Sequence, residues 1–145
     1  MKLLFCGSFR FMEDMKKLEE KLVSFGFECF LPRFSLGDFS AKKIGEIKNK
    51  RKEKGLQKGE LEKITNVTKW FYKKIKECDA MVVFDKQGYV GLAAASEIGA
   101  AYILKKPVFF LEEPEDVSIK AMIRFVPNFK VAGLEKLIRE LRLKK

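Results

Sequence analysis

Five apolar residues in a row, Ala80-Met81-Val82-Val83-Phe84, decide the fold, and Asp85 follows them directly. A short run without alternating polar residues is typical of a central parallel strand, because helices cover both of its faces. We expect a sheet to form around this strand. Similar short, largely apolar runs lie at Lys2–Cys6, Phe27–Leu31, Pro107–Leu111 and Asn128–Val131.

Helical patterns fill the intervals between these runs. Met12–Phe25 has apolar residues three and four positions apart, and Gly26 is its expected stop. Strands that alternate with helices predict an α/β fold: a doubly wound sheet of about five mostly parallel strands with helices on both faces. Further helices are predicted at Ala41–Lys54, Glu60–Cys78, Leu92–Leu104, Val117–Phe125 and Gly133–Leu143.

The composition excludes several classes of protein and of chemistry. With 47% hydrophobic residues among 145, the chain can bury a core as a single domain over residues 1–145, and a disordered chain is excluded. It has no apolar stretch of about 18 residues for a membrane span, and no signal peptide is expected. Because the chain has no His, a Ser-His-Asp triad and a Cys-His pair are excluded.

The three cysteines, which are widely spaced and lack His partners, predict no zinc site and a reducing, cytoplasmic location. An acidic stretch at Glu112–Asp116 does not have the spacing of a Ca²⁺ loop and is interpreted as solvated. We therefore predict neither a metal nor a cofactor. The abundance of Lys, with only five Asn and Gln, resembles the composition of thermophile proteins.

The positive charge is concentrated in the segment Lys42–Lys76, which holds thirteen Lys or Arg against four Glu, while the whole chain carries +10. We predict a basic helical segment at about 41–77. It is either a solvated helix face or a surface for a phosphorylated ligand or nucleic acid. The aromatic residues Trp70, Phe71 and Tyr72 form one clump instead of alternating with the bases, which argues against nucleic acid.

Ligands of doubly wound sheets bind beyond the carboxyl ends of the strands, where the strand order reverses. After the first strand, Gly7 allows a close backbone approach, Ser8 offers a hydroxyl, and Arg10 can bind a phosphate or a carboxylate. The alternative is that Ser8 caps the next helix and Arg10 lies on the surface.

A second candidate stretch follows the central strand. Gly88 and Gly91 permit a tight loop, and Glu97 then lies early in a helix whose other residues are mainly Ala and Gly. Small neighbours leave space beside the carboxylate for a ligand. Two alternatives stay open: Glu97 interacts with the helix dipole, or the Ala/Gly run serves close helix packing, for example in a dimer.

Three blocks, in the same order along the chain, resemble the nucleoside 2-deoxyribosyltransferases and especially the related 2'-deoxynucleoside 5'-monophosphate N-glycosidases. The resemblance covers most of the chain except Lys42–Lys69. It implies a Rossmann- or flavodoxin-like domain that forms a homodimer and binds a small-molecule nucleoside or nucleotide. The blocks are Phe5-Cys6-Gly7-Ser8-Phe9-Arg10, then Cys78-Asp79-Ala80-Met81-Val82-Val83 with Gly91 and Glu97-Ile98-Gly99, and Ala121-Met122-Ile123-Arg124.

The resemblance also implies that Glu97 attacks the anomeric carbon of deoxyribose as the base departs. A carboxylate suits this step, because it stabilises an oxocarbenium-like transition state and splits the displacement into two steps. The predicted function is a nucleoside 2-deoxyribosyltransferase or a deoxynucleoside (5'-monophosphate) N-glycosidase that works through a glutamyl–sugar intermediate.

This sequence departs from the family pattern at several positions. Where the family has a catalytic Asp it has Phe71, and at two phosphate-binding serines it has Gly91 and Lys120. Asp85 is a candidate replacement for the acid, with a plain turn residue as the alternative. Lys120 is either a phosphate ligand, with Arg124 and from a partner subunit, or a solvated lysine.

These departures leave two other functions open. The loss of the acid at Phe71 favours a non-catalytic module that binds a nucleotide without cleaving it. The basic segment Lys42–Lys76 leaves a nucleic-acid-binding protein as a third reading, which we rank last.

Overall fold

A computed structural model describes residues 1–32 and 58–143 of the chain. Within these residues five strands form one parallel sheet in the order β2-β1-β3-β4-β5, with one described α-helix between each strand and the next and a fifth helix after the last strand. The α/β prediction is therefore confirmed. The strands are β1 (Lys2–Gly7), β2 (Glu28–Phe30), β3 (Ala80–Phe84), β4 (Val108–Phe110) and β5 (Phe129–Val131). The helices are α1 (Met12–Ser24), α2 (Lys58–Glu77), α3 (Leu92–Ile103), α4 (Val117–Phe125) and α5 (Leu134–Arg142).

Helices cover both faces of the sheet, which explains the continuous apolar runs. In β1, Leu3 and Phe5 point to the face that α1 and α5 cover, and Leu4 and Cys6 point to the face that α2, α3 and α4 cover. All four side chains are completely buried. Each fully buried Leu or Phe side chain stabilises the fold by roughly 1.5–3 kcal/mol, and the side chains on the two faces form two separate hydrophobic clusters.

The structure between the first strand and the first helix contradicts the alternative that Ser8 caps that helix. A short 3₁₀ turn, Phe9–Phe11, separates Ser8 from α1, whose N-cap residue is Phe11. Ser8 precedes this turn, and its hydroxyl makes no capping hydrogen bond. The reading of Ser8 as the cap of the helix is therefore wrong. Gly26, with a φ of 82°, follows the end of α1 as predicted.

The structure describes only the second half of the predicted basic helical segment at about 41–77. Its second half forms α2, which confirms the helix predicted at Glu60–Cys78. The helical prediction at Ala41–Lys54 lies outside the described residues. Among the residues that are described, no helix has both the length and the apolarity needed to cross a bilayer.

Gly7 allows the two central strands to lie side by side at their carboxyl ends. It pairs with Phe84 of β3, and a Cβ atom at Gly7 would lie 2.8 Å from the Phe84 carbonyl oxygen. Because that oxygen belongs to the backbone of a buried strand, neither strand can move aside cheaply. The close packing of the two strands thus explains the glycine at this position.

We expect Gly7→Ala to lower the free energy of unfolding by roughly 1–3 kcal/mol, the usual cost of overpacking a buried site. Urea denaturation measures this change. Gly99→Ala is the control, because a Cβ at Gly99 meets open space and Ala favours a helix. Equal stability of the two variants would contradict the close packing of β1 against β3.

Candidate active site

The strand order predicts that a ligand binds between β1 and β3. β1 has β2 on one side and β3 on the other, so the strand order reverses between β1 and β3. The residues that follow their carboxyl ends, and the side chains of α3 above them, are the ones that can reach a ligand there. Among the predicted site residues, Asp85 and Glu97 are both found here.

Glu97 is a nearly buried carboxylate. It is 9% exposed, and its Oε2 accepts a hydrogen bond from the Cys6 thiol at 3.0 Å. The helix α3 begins at Leu92, so Glu97 is its sixth residue. Helix-dipole effects fall off within the first turn, and the dipole therefore does not explain a carboxylate at this depth. Burial of a carboxylate is costly, which makes Glu97 a candidate for a functional role.

The Cys6 thiol is a hydrogen-bond donor, not a nucleophile. It is completely buried in β1. Burial, followed by the neighbouring charge of Glu97 and its hydrogen bond, raises the pKa of the thiol well above its ordinary value. The charge of Asp85 raises the pKa of the thiol further. At neutral pH the thiol therefore keeps its proton.

Asp85 is completely buried at the carboxyl end of β3. Its Oδ1 accepts a hydrogen bond from the backbone N–H of Glu112 at 3.0 Å, whereas Oδ2 has no partner among the described residues. Burial raises the pKa of Asp85 from 3.8 to about 6, although the Glu112 hydrogen bond acts in the opposite direction. Near neutral pH this carboxyl group can therefore both donate and accept a proton.

Asp85 also belongs to a set of contacts between the loops after β3 and β4. The backbone N–H of Gln87 donates to Glu112 Oε2 at 2.9 Å, and the N–H of Glu115 donates to the Gly88 carbonyl at 2.9 Å. Gly88 has a φ of 74°, and a Cβ there would lie 2.8 Å from the Glu113 carbonyl oxygen. Gly88 thus has a packing role between the two loops.

The acidic residues after β4 take part in these loop contacts. In the described ranges 1–32 and 58–143, no group of three or more His, Cys, Asp or Glu is arranged to hold a metal ion.

Arg10, Tyr89 and Gly91 come together in the segments that follow β1 and β3. The Arg10 guanidinium carbon lies 3.8 Å from the centre of the Tyr89 ring and 4.8 Å from that of Phe11. A Cβ atom at Gly91 would lie 3.3 Å from the Tyr89 hydroxyl, so that hydroxyl occupies the space beside residue 91. Tyr89 was not among the site residues predicted from the sequence, although its place between Gly88 and Gly91 was an available signal.

Two of the proposed phosphate ligands are exposed to solvent on α4. Lys120 and Arg124 are both exposed and are four residues apart on α4. The N-cap residue of α4 is Asp116, whose side chain accepts hydrogen bonds from the N–H groups of Ser118 and Ile119. In contrast to Glu97 and Asp85, these basic side chains remain in solvent within this chain.

Phe71 is a core residue. It is 3% exposed on α2 and packs in the same hydrophobic cluster as Ile98 of α3 and Met81 of β3. Its ring makes an edge contact with Trp70 at 5.1 Å. At the position where the family resemblance implies a catalytic Asp, this chain therefore has a residue of the hydrophobic core.

Comparison with known proteins identifies a structural neighbour. The CMP N-glycosidase BcmB of Clostridium botulinum is similar over 99% of this chain and 99% of its own, with a TM-score of 0.55 and 20% sequence identity. The chain shares the fold of this N-glycosidase. This likeness confirms the Rossmann-like fold that the family resemblance implies. No family model matches the sequence, and no curated protein matches it.

Proposed function

We propose that the chain is a nucleoside 2-deoxyribosyltransferase-like domain over residues 1–145, which cleaves the N-glycosidic bond of a deoxynucleoside or its 5'-monophosphate. The observation that carries this proposal is Glu97: a carboxylate, 9% exposed, held by a thiol at the strand-order reversal of the sheet. A fold shared with a CMP N-glycosidase supports the same class of reaction.

Glu97 is the proposed nucleophile. One of its carboxylate oxygens forms a bond to C1' of the sugar while the C1'–N bond breaks, and the base leaves with the bonding electron pair. Water, or the nitrogen of a second base, then attacks C1' and displaces the Glu97 carboxylate. Water gives hydrolysis and a second base gives transfer, and both routes pass through the same glutamyl–sugar ester.

Asp85 is the proposed acid and base. Its pKa of about 6 means that protonated and ionised forms coexist near neutral pH. The protonated form can donate to the departing base, and the ionised form can take a proton from the attacking water. This role uses Oδ2, because Oδ1 is already occupied by the N–H of Glu112.

Arg10 is the proposed ligand for an anionic group of the substrate. Its guanidinium stacks on Tyr89, which orients a planar group suited to binding phosphate. Gly7, Ser8, Gly88 and Gly91 form the surrounding loops. Arg10 and the Tyr89 hydroxyl thus take the place of the serine that the family resemblance would put at Gly91.

We further propose that the protein is a homodimer in which Lys120 and Arg124 reach the phosphate of the partner's substrate. Leu92 and Ile103 of α3 are 87% and 77% exposed, and such apolar residues on one helix favour an interface. Sedimentation equilibrium distinguishes the dimer from a monomer. All three cysteines are free thiols, so we expect the protein to work in the reducing cytoplasm.

A nucleotide-binding module without catalysis is the second candidate. Phe71 favours it, because a core aromatic occupies the position of the family's catalytic Asp. In that case a nucleotide would bind beside Glu97 and remain intact. A nucleic-acid-binding role for Lys42–Lys76 predicts an affinity that falls steeply with salt.

A substrate panel tests the proposed function. The wild-type protein is incubated with deoxynucleosides, their 5'-monophosphates and CMP, with and without an acceptor base, and free base is measured by chromatography. We expect base release, and a covalent adduct on Glu97 with a 2-fluorinated deoxyribosyl substrate, detected by denaturing mass spectrometry. Tight nucleotide binding by calorimetry with no released base would instead support the binding module.

A further inference from the structure

Resting on the proposed function, we propose that Cys6 is a positioning residue whose thiol holds the Glu97 carboxylate in the orientation for attack on the sugar. The thiol does not touch the reacting carbon in this scheme. It acts through Glu97, by fixing the direction in which the carboxylate points.

The Cys6 thiol lies near two hydrogen-bond acceptors and donates mainly to Glu97. Cys6 Sγ lies 3.0 Å from Glu97 Oε2 and 3.8 Å from the Ala94 carbonyl oxygen. A thiol has one proton, and a hydrogen bond to a charged acceptor is roughly twice as strong as one to a neutral acceptor. Both the shorter distance and the charge favour Glu97.

The donor lies at the buried centre of the sheet. Cys6 lies in β1 and pairs with Val83 of β3 at the centre of the sheet. It is completely buried and packs in one cluster with Ala94 and Ile98, which flank Glu97 on α3. The hydrogen bond therefore connects the sheet to the helix that carries the nucleophile. Nucleophiles held by such well-packed partners are pre-organised for reaction.

A thiol suits this role because it orients the carboxylate with little loss of nucleophilicity. The S–H group is a weak donor, so it withdraws less charge from the carboxylate than a hydroxyl would. Because burial and Glu97 raise the pKa of Cys6, the group stays protonated and does not compete as a nucleophile.

Three variants test the role of Cys6 in the reaction. Cys6→Ala should lower the rate of adduct formation on Glu97 by about five- to tenfold, as expected for the loss of one ordinary hydrogen bond, because the thiol is a weak donor; substrate affinity should be unchanged. Cys6→Ser keeps a donor and should stay within about threefold of wild type. The control is Cys78→Ala, since Cys78 is also buried in this cluster but donates to the Ile75 carbonyl.

An infrared measurement tests the hydrogen bond without any activity. The S–H stretching band lies in a spectral window free of other protein absorption, and its frequency falls as the hydrogen bond strengthens. The band of Cys6, assigned with Cys6→Ser, should move to higher frequency in Glu97→Ala, while the band of Cys78 should not move.

The two measurements separate this inference from the proposed function. If wild type releases no base, the proposed function is wrong, and the infrared band alone decides whether Cys6 holds Glu97. If Cys6→Ala forms the adduct as fast as wild type, or if the Cys6 band is unchanged in Glu97→Ala, Cys6 is not a positioning residue. Slow adduct formation in both Cys6→Ala and Cys6→Ser, with Cys78→Ala normal, also contradicts the positioning role. In that case a hydrogen-bond donor at residue 6 is not sufficient to hold Glu97.

Discussion

Replacing Glu97 by glutamine is expected to lower kcat/KM for base release by at least about 10³-fold, as removal of a covalent nucleophile does in other enzymes. The amide has nearly the shape of the carboxylate, and its oxygen can still accept from the Cys6 thiol, which donates to Glu97 Oε2 at 3.0 Å. The fold should therefore survive while the attacking oxygen loses its charge. Steady-state kinetics on the best substrate of the panel measure the loss.

The matched control for Glu97→Gln is Glu113→Gln, which changes an exposed carboxylate in the loop after β4. Its activity should equal that of wild type. The 2-fluorinated substrate should form an adduct with Glu113→Gln and none with Glu97→Gln. Full activity in Glu97→Gln would remove Glu97 from the mechanism, and binding without cleavage in both variants would favour the nucleotide-binding module.

The strands could be predicted from the sequence because burial on two faces leaves a local signature. Ala80–Phe84 has no polar residue, and the structure shows why: Met81 and Val83 face one layer of helices, while Val82 faces the other. Helix α1 could be predicted equally well, because its buried residues Met15, Leu18 and Leu22 recur at helical spacing. In each case the pattern that predicts the element lies in residues that are close together in the sequence.

The site was less predictable because its contacts join distant parts of the chain. Cys6 and Glu97 are 91 residues apart, and the backbone of Glu112 reaches Asp85 from 27 residues away. Glycine and alanine neighbours indicated Glu97, but nothing local indicates that a thiol faces it. The stacking of Arg10 on Tyr89 likewise depends on two loops meeting, which periodicity does not encode.

Asp85→Asn is expected to remove a pH dependence of stability that wild type shows between about pH 4 and pH 6. The pKa of Asp85 rises from 3.8 to about 6 on folding, chiefly through burial. In this window the native state binds more protons than the unfolded state, so the free energy of unfolding falls as the pH rises. A shift of about two units corresponds to a loss of about 3 kcal/mol.

Asparagine at position 85 can keep the hydrogen bond from the Glu112 N–H and carries no charge, so its unfolding free energy should exceed that of wild type above about pH 6. Urea denaturation of both proteins across this range measures the difference. Asp14→Asn is the control of opposite sign, because the hydrogen bond from Lys86 lowers the pKa of the exposed Asp14. Parallel curves for wild type and Asp85→Asn would show that folding does not raise the pKa of Asp85, and near neutral pH the group would then lack the proton that the departing base requires.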